Sequence, residues 1–197
     1  MEKDLSHYRN NKHVNYIALS EEKIEPDAIK ELIAAIKSDD LEAVKSIITS
    51  TSDINLNTSC IQSNPLFIAT LYNRVEIAEY LLLHGAKVNA VLHKDKSMIL
   101  HCIESYKMLR VFINENTDWN LADDPETGEP FIVTIIKHQT IKRSEKIRMI
   151  KLLAPSIDIH KKYRILGEFS ELRTPLTVAQ ELEDSEIFNV LVKLKTN

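Results

Sequence analysis

The chain has 197 residues, a formal net charge of −4, 44% hydrophobic and 27% charged residues, enough for one soluble domain with a substantial core. Three glycines, against the usual share of about 7%, leave no GxxxxGK[ST] or GxGxxG phosphate loop. No apolar run approaches the roughly 18–20 residues of a membrane span, and two cysteines, Cys60 and Cys102, make no disulfide framework and point to a reducing, cytoplasmic setting.

Low glycine and short helical patterns predict an all-α protein. The N-terminal stretch "MEKDLSHYRNNKHVNY" is polar and lacks the apolar core of a secretion signal. Tyr16, Ile17 and Leu19 either dock as a cap on the first helix pair or lie in a tail. In "ELIAAIKSDDLEAVKSIITSTSDIN", Leu32, Ala35 and Leu41 mark that first pair, which ends near Asn55. The clearest unit is "NPLFIATLYNRVEIAEYLLLHGAKVNA", residues 64–90. Asn64 is placed to cap a helix and Pro65 suits its first position. Leu66, Ala69 and Thr70 share one face. A second helix runs from Val75 to about Leu83 with Ile77, Ala78, Leu81 and Leu82 on its buried stripe, and Gly85 ends it. "MILHCIESYKMLRVFINENTDWN" repeats the pattern with Leu100-His101 and a terminal Asn120. "EPFIVTIIKHQTIKRSEKIRMIKLLAPSIDIH" does so with Pro130, and "TPLTVAQELEDSEIFNVLV" with Pro175-Leu176.

This helix–turn–helix–arm unit resembles the ankyrin repeat, which has a period of about 33 residues. The resemblance rests on Pro65-Leu66, Ala69, the apolar second helix, Gly85-Ala86 and Val88-Asn89-Ala90. It covers about residues 28–194 and implies an all-α ankyrin-repeat solenoid with short hairpin arms. About five repeats are expected, near 28–61, 62–95, 96–127, 128–171 and 172–197, preceded by a 1–27 extension. The fourth is longer, by roughly seven residues between its helices and six in its arm. Insertions at exposed turns cost little. The chain departs from the pattern at Ile99 (for proline) and Glu129 (for threonine), and it keeps the repeat glycine only at Gly85.

No residues assemble a catalytic site, so no enzyme, cofactor or metal is expected. By the resemblance, His101 is a structural histidine, and Cys102 beside it reads as a partly buried thiol. Cys60 and His93 lie on neighbouring arms without the spacing of a zinc site. "LEDSEIF" reads as a helix start, with Asp184, Ser185 and Glu186 answering the helix dipole. Trp119, at the Val position of the Val-Asn pair, reads as inter-repeat core.

The resemblance implies partner binding through arm tips and the concave face of the first helices. On that face the outward positions are Lys37 and Ser38, Leu71 and Tyr72, Ser105 and Tyr106, Lys137 and His138, and Glu181 and Leu182. Leu71, Tyr72 and Tyr106 would form an apolar-aromatic strip. At the arms, Lys94, Asp95, Glu126, Phe169 and Arg173 are candidates. Residues 137–164 carry nine Lys and Arg against two acids, which suggests an anionic ligand, RNA or phosphorylated lipid, at Lys142, Arg143 and Lys146. The bland alternative is a solvated helix face opposite an acidic neighbour. The expected function is a monomeric, non-catalytic protein-binding module. Its Ile-, Lys- and Asn-rich composition suggests a microbial or viral effector delivered to a host cell.

Overall fold

The computed structural model of the chain describes residues 27–89, 91–92, 96–113, 117–119, 123–124, 127–164 and 172–194. Among the described residues five helix pairs follow one another. They are α1 (Asp27–Ser38) with α2 (Leu41–Ser50), and α3 (Pro65–Leu71) with α4 (Val75–Leu83). A 3-10 helix (Met98–Glu104) then pairs with α5 (Tyr106–Ile113), α6 (Phe131–Lys137) with α7 (Arg143–Leu153), and α8 (Pro175–Glu181) with α9 (Ser185–Leu194). Between the second and third pairs lies a hairpin of β1 (Val91–Leu92) and β2 (Lys96–Ser97), antiparallel with Val91 opposite Ser97.

The caps predicted at Asn64 and Gly85 form. Asn64 Oδ1 accepts the Phe67 N–H at 2.9 Å while its Nδ2 reaches Thr58 O at 2.8 Å. Thr174 and Thr177 close a reciprocal capping box with Pro175 at the first helical position. Gly85 sits at φ +94° just past α4, where a left-handed residue ends the helix.

With glycine scarce, other residues make the tight turns between paired helices. Asp39, Asn73 and Glu183 take left-handed φ values of 64°, 55° and 55°. Each turn bonds in the same way: Asp40 N–H to Ala35 O, Arg74 N–H to Ala69 O and Asp184 N–H to Ala179 O, at 2.8–3.0 Å. These bonds satisfy carbonyls that a helix end would otherwise leave unpaired.

Second helices α2, α4, α5, α7 and α9 pack in series, and first helices form the other layer. Neighbouring pairs share one core, since a single pair cannot bury its own apolar face. Leu32, Leu66, Leu81, Phe112, Ile136 and Leu191 are buried throughout it. Leu56, Val88, Trp119 and Ile159, which follow the second helices, are all buried, and Trp119 stacks on Phe131 at 5.7 Å, the inter-repeat role expected of it. Leu82, expected on the buried stripe, is only half-buried.

Asparagines tie the arms together. Asn57 Nδ2 donates to Gly85 O at 2.9 Å and its Oδ1 accepts from Lys87 N at 2.8 Å. Asn89 Oδ1 accepts from Asp118 N at 2.9 Å, so Asn57, and not Asn55, is the counterpart of Asn89. The arm after α7 returns on itself where Tyr163 and Arg173 exchange backbone bonds of 3.0 and 2.9 Å.

Candidate partner-binding surface

The sequence-predicted surface begins at the ends of the first helices. Tyr72 caps α3, its N–H bonded to Ile68 O at 3.0 Å, and Asn73 and Arg74 lock the turn beyond it. Leu71 and Tyr72 are therefore held on fixed backbone, half-buried against the core with the remainder facing solvent. The next turn is tied to the one before: Arg74 Nη1 donates to Asp39 Oδ2 at 3.0 Å and Nη2 to Lys37 O at 2.8 Å. That clamp ties the end of α1, where Lys37 and Ser38 are exposed, to the turn that follows Leu71 and Tyr72. No sequence pattern singled it out, because its partners lie on different repeats.

Tyr106 does not extend this strip. Repeat three has one residue, Ser105, where repeat two has a three-residue turn, so its 3-10 helix runs to Glu104 and Ser105 caps α5 directly, its hydroxyl accepting the Met108 N–H at 3.3 Å. Tyr106 is thus the first residue of the second helix. There the Arg148 guanidinium of α7 lies 4.2 Å from its ring centroid. Lys137 is exposed at the end of α6, but its ammonium binds both oxygens of buried Glu129 at 2.8 and 2.9 Å. His138 follows, with Nδ1 at 3.3 Å from the Thr140 hydroxyl. At the fifth repeat Leu182 is 52% exposed, and Glu181 pairs with Arg173. Lys94, Asp95, Glu126 and Phe169 lie outside the described residues, as does His93.

The basic insertion is largely engaged within the protein. Arg143 Nε donates to Asp184 Oδ2 at 2.9 Å, and its Nη1 lies 3.6 Å from Glu186. Lys146 Nζ donates to Ile136 O at 2.7 Å, closing the end of α6. Burial lowers the Lys146 ammonium from its ordinary value, with the Asp184 carboxylate working against that and Arg143 with it. Burial pushes the Asp184 carboxyl up, but the Ile187 N–H, the Arg143 guanidinium and Lys146 outweigh it and hold the group below its usual range. Asp184 is thus the N-cap of α9, accepting the Ile187 N–H at 3.1 Å, as its place in "LEDSEIF" suggests. Lys142 is exposed and has no ion pair among the described residues.

Neither cysteine is in a disulfide. Cys102 is fully buried, donates to Ile99 O at 2.9 Å, and burial pushes its thiol far up from the ordinary value. Cys60 is half-buried and unpaired. His101 stands edge-on to Phe67 with ring centroids 5.0 Å apart, joining repeats two and three. A cleft of about 340 Å³ opens beside Trp119 and Phe131, edged by Asp118, Asp123, Asp158 and Lys161, and Lys161 pairs with Asp123 within it. Among the described residues no group of three or more His, Cys, Asp or Glu could hold a metal, and no helix is long and apolar enough to cross a membrane.

The sequence profile described as ankyrin repeats (3 copies) matches residues 7–91 and, in an overlapping placement, 32–123, together more than half of the chain. The chain belongs to the ankyrin-repeat family. A stretch of 70 residues is 37% identical to the probable palmitoyltransferase AKR2 of Saccharomyces uvarum, covering 35% of this chain and 10% of that protein. The chain therefore spans about a tenth of that relative's length. The crystal structure of the ankyrin repeat domain of Bcl-3, of the IkappaB protein family, superposes with a TM-score of 0.64 at 17% identity. That likeness covers 83% of this chain and 71% of the Bcl-3 chain, and at such identity it concerns the fold. As an ankyrin-repeat protein the chain carries a scaffold for protein–protein interaction.

Proposed function

We propose that the protein captures a protein partner on the concave face of its first helices, with Leu71 and Tyr72 as anchors. The carrying observation is the pair itself: an aliphatic and an aromatic side chain, half-exposed side by side on a helix end that the turn and the Arg74 clamp hold rigid. Such anchors bind with little ordering cost, and tyrosine brings both apolar area and a hydrogen-bonding tip. Lys37 and Ser38 supply a polar rim. The two unpaired cysteines support action in a reducing compartment.

The anionic-ligand reading has less support. Arg143 and Lys146 are bound to Asp184 and Ile136, so a phosphate at this site would have to displace them.

The test is a partner captured from lysate by the intact chain and then titrated against variants at low and moderate salt. Leu71→Ala/Tyr72→Ala should weaken capture by about tenfold or more at both salts, since an apolar anchor is not screened. Full affinity in the double variant would remove the strip from the interface. Loss of binding at moderate salt alone would favour an electrostatic site instead.

A further inference from the structure

Repeats one and two show what one helix pair offers the next. Asp39, at the left-handed turn position, and the Lys37 carbonyl together receive the guanidinium of Arg74, which opens the following pair's second helix. Repeat five rebuilds that receptor. Glu183 has the same left-handed backbone as Asp39, and the same pair of turn bonds surrounds it. Glu183 is thus the counterpart of Asp39, and the Glu181 carbonyl that of Lys37. Glu183 is exposed, and among the described residues its carboxylate has no ion-pair partner.

The flank beside it is apolar. Leu66 and Ala78 are fully buried in repeat two, where repeat three covers them, while their counterparts Leu176 and Phe188 are only half-buried. Leu82 corresponds to Val192, which is 39% exposed. Among the described residues, three of the four exposed large hydrophobics, Leu172, Leu182 and Val192, belong to repeat five.

We propose that the outer face of repeat five docks a helix pair of a partner protein. An arginine at that pair's turn sits on the Glu183 carboxylate and the Glu181 carbonyl, and its apolar flank covers Leu176, Phe188 and Val192. Head-to-tail stacking of a second copy of this chain is disfavoured. Repeat one carries Asp40 where repeat two carries Arg74, so such stacking sets carboxylate against carboxylate. This face is separate from the Leu71–Tyr72 strip, and either can fail without the other.

The test is amide NMR of the full chain titrated with a lactam-locked helical hairpin of residues 64–85, which carries Arg74. Saturable shifts at Leu176, Glu183, Phe188 and Val192 are expected. An Arg74→Glu hairpin should bind at least about tenfold more weakly, and Glu183→Arg in the full chain should recover that binding. Val192→Lys should weaken binding while leaving the rest of the spectrum unchanged. Absence of saturation with the locked hairpin at millimolar concentration overturns the proposal. So do shifts confined to Leu71 and Tyr72, or self-association of the chain through repeat five.

Discussion

Repeats two and four solve the same problem by different means. In repeat two the turn is three residues long, Tyr72 to Arg74, and the Arg74 N–H reaches Ala69 O at 2.8 Å, so backbone alone satisfies the end of α3. Its start is capped by Asn64 immediately before Pro65. In repeat four the turn is expanded and no such bond is made. Instead Lys146 reaches back from α7 to Ile136 O, while Asp123, from the preceding arm, accepts the Phe131 N–H at 3.3 Å. Glu129, where the family places threonine, is buried against Lys137. Lengthening a turn thus transfers the satisfaction of helix ends from backbone to long charged side chains. The high positive charge of residues 137–164 has this structural origin in part.

If both repeats share one core, Leu81→Ala in repeat two and Leu153→Ala in repeat four should each cost about 2–5 kcal/mol, read by urea unfolding. Both side chains are fully buried. A cost under about 1 kcal/mol at Leu153 alone would break the comparison by showing the expanded repeat loosely packed. Next in size is the cap at the fourth-to-fifth junction: Asp184→Ala should cost about 0.5–2 kcal/mol at neutral pH. A carboxyl held below its unfolded value binds fewer protons folded than unfolded. Its contribution is therefore full above the usual carboxylate range, about pH 4, and is lost as pH falls through the lower folded value. The gap between wild type and Asp184→Ala should narrow over that acid window, and a gap that widens there would refute the assignment. The smallest effect concerns the turns. Glu183→Gly should stabilise by about 0.5–1 kcal/mol, since glycine adopts the left-handed conformation without strain. Asn73→Gly should change thermal stability less, because asparagine tolerates that conformation.

The helix pairs were legible because their signals are local. Asn64-Pro65, Thr174-Pro175 and Gly85 carry cap chemistry in adjacent residues, and the apolar spacing of 75–83 sets one buried face. Repeat three was less legible: without the proline at Ile99 and with a single residue between its helices, its first helix tightens to 3-10 form and Tyr106 moves to the second helix. Asn57 was hidden by a two-residue offset in the first arm, which only the bonds to Gly85 and Lys87 reveal. The partners of Arg74, Arg143 and Lys146 lie on other helices, and a charge count along the chain does not see them. The candidate strip was half legible, since Leu71 and Tyr72 are set by the turn beside them while Tyr106 depended on tertiary register.

The most direct test of this account is to measure, on one variant, both stability and anion binding. Lys142→Gln/Arg143→Gln/Lys146→Gln should lower the urea midpoint through loss of the bonds to Asp184 and Ile136, and leave binding to RNA and to phosphoinositide vesicles no different from wild type. An unchanged midpoint together with loss of a wild-type affinity for RNA or those vesicles would contradict it and make the insertion a ligand site.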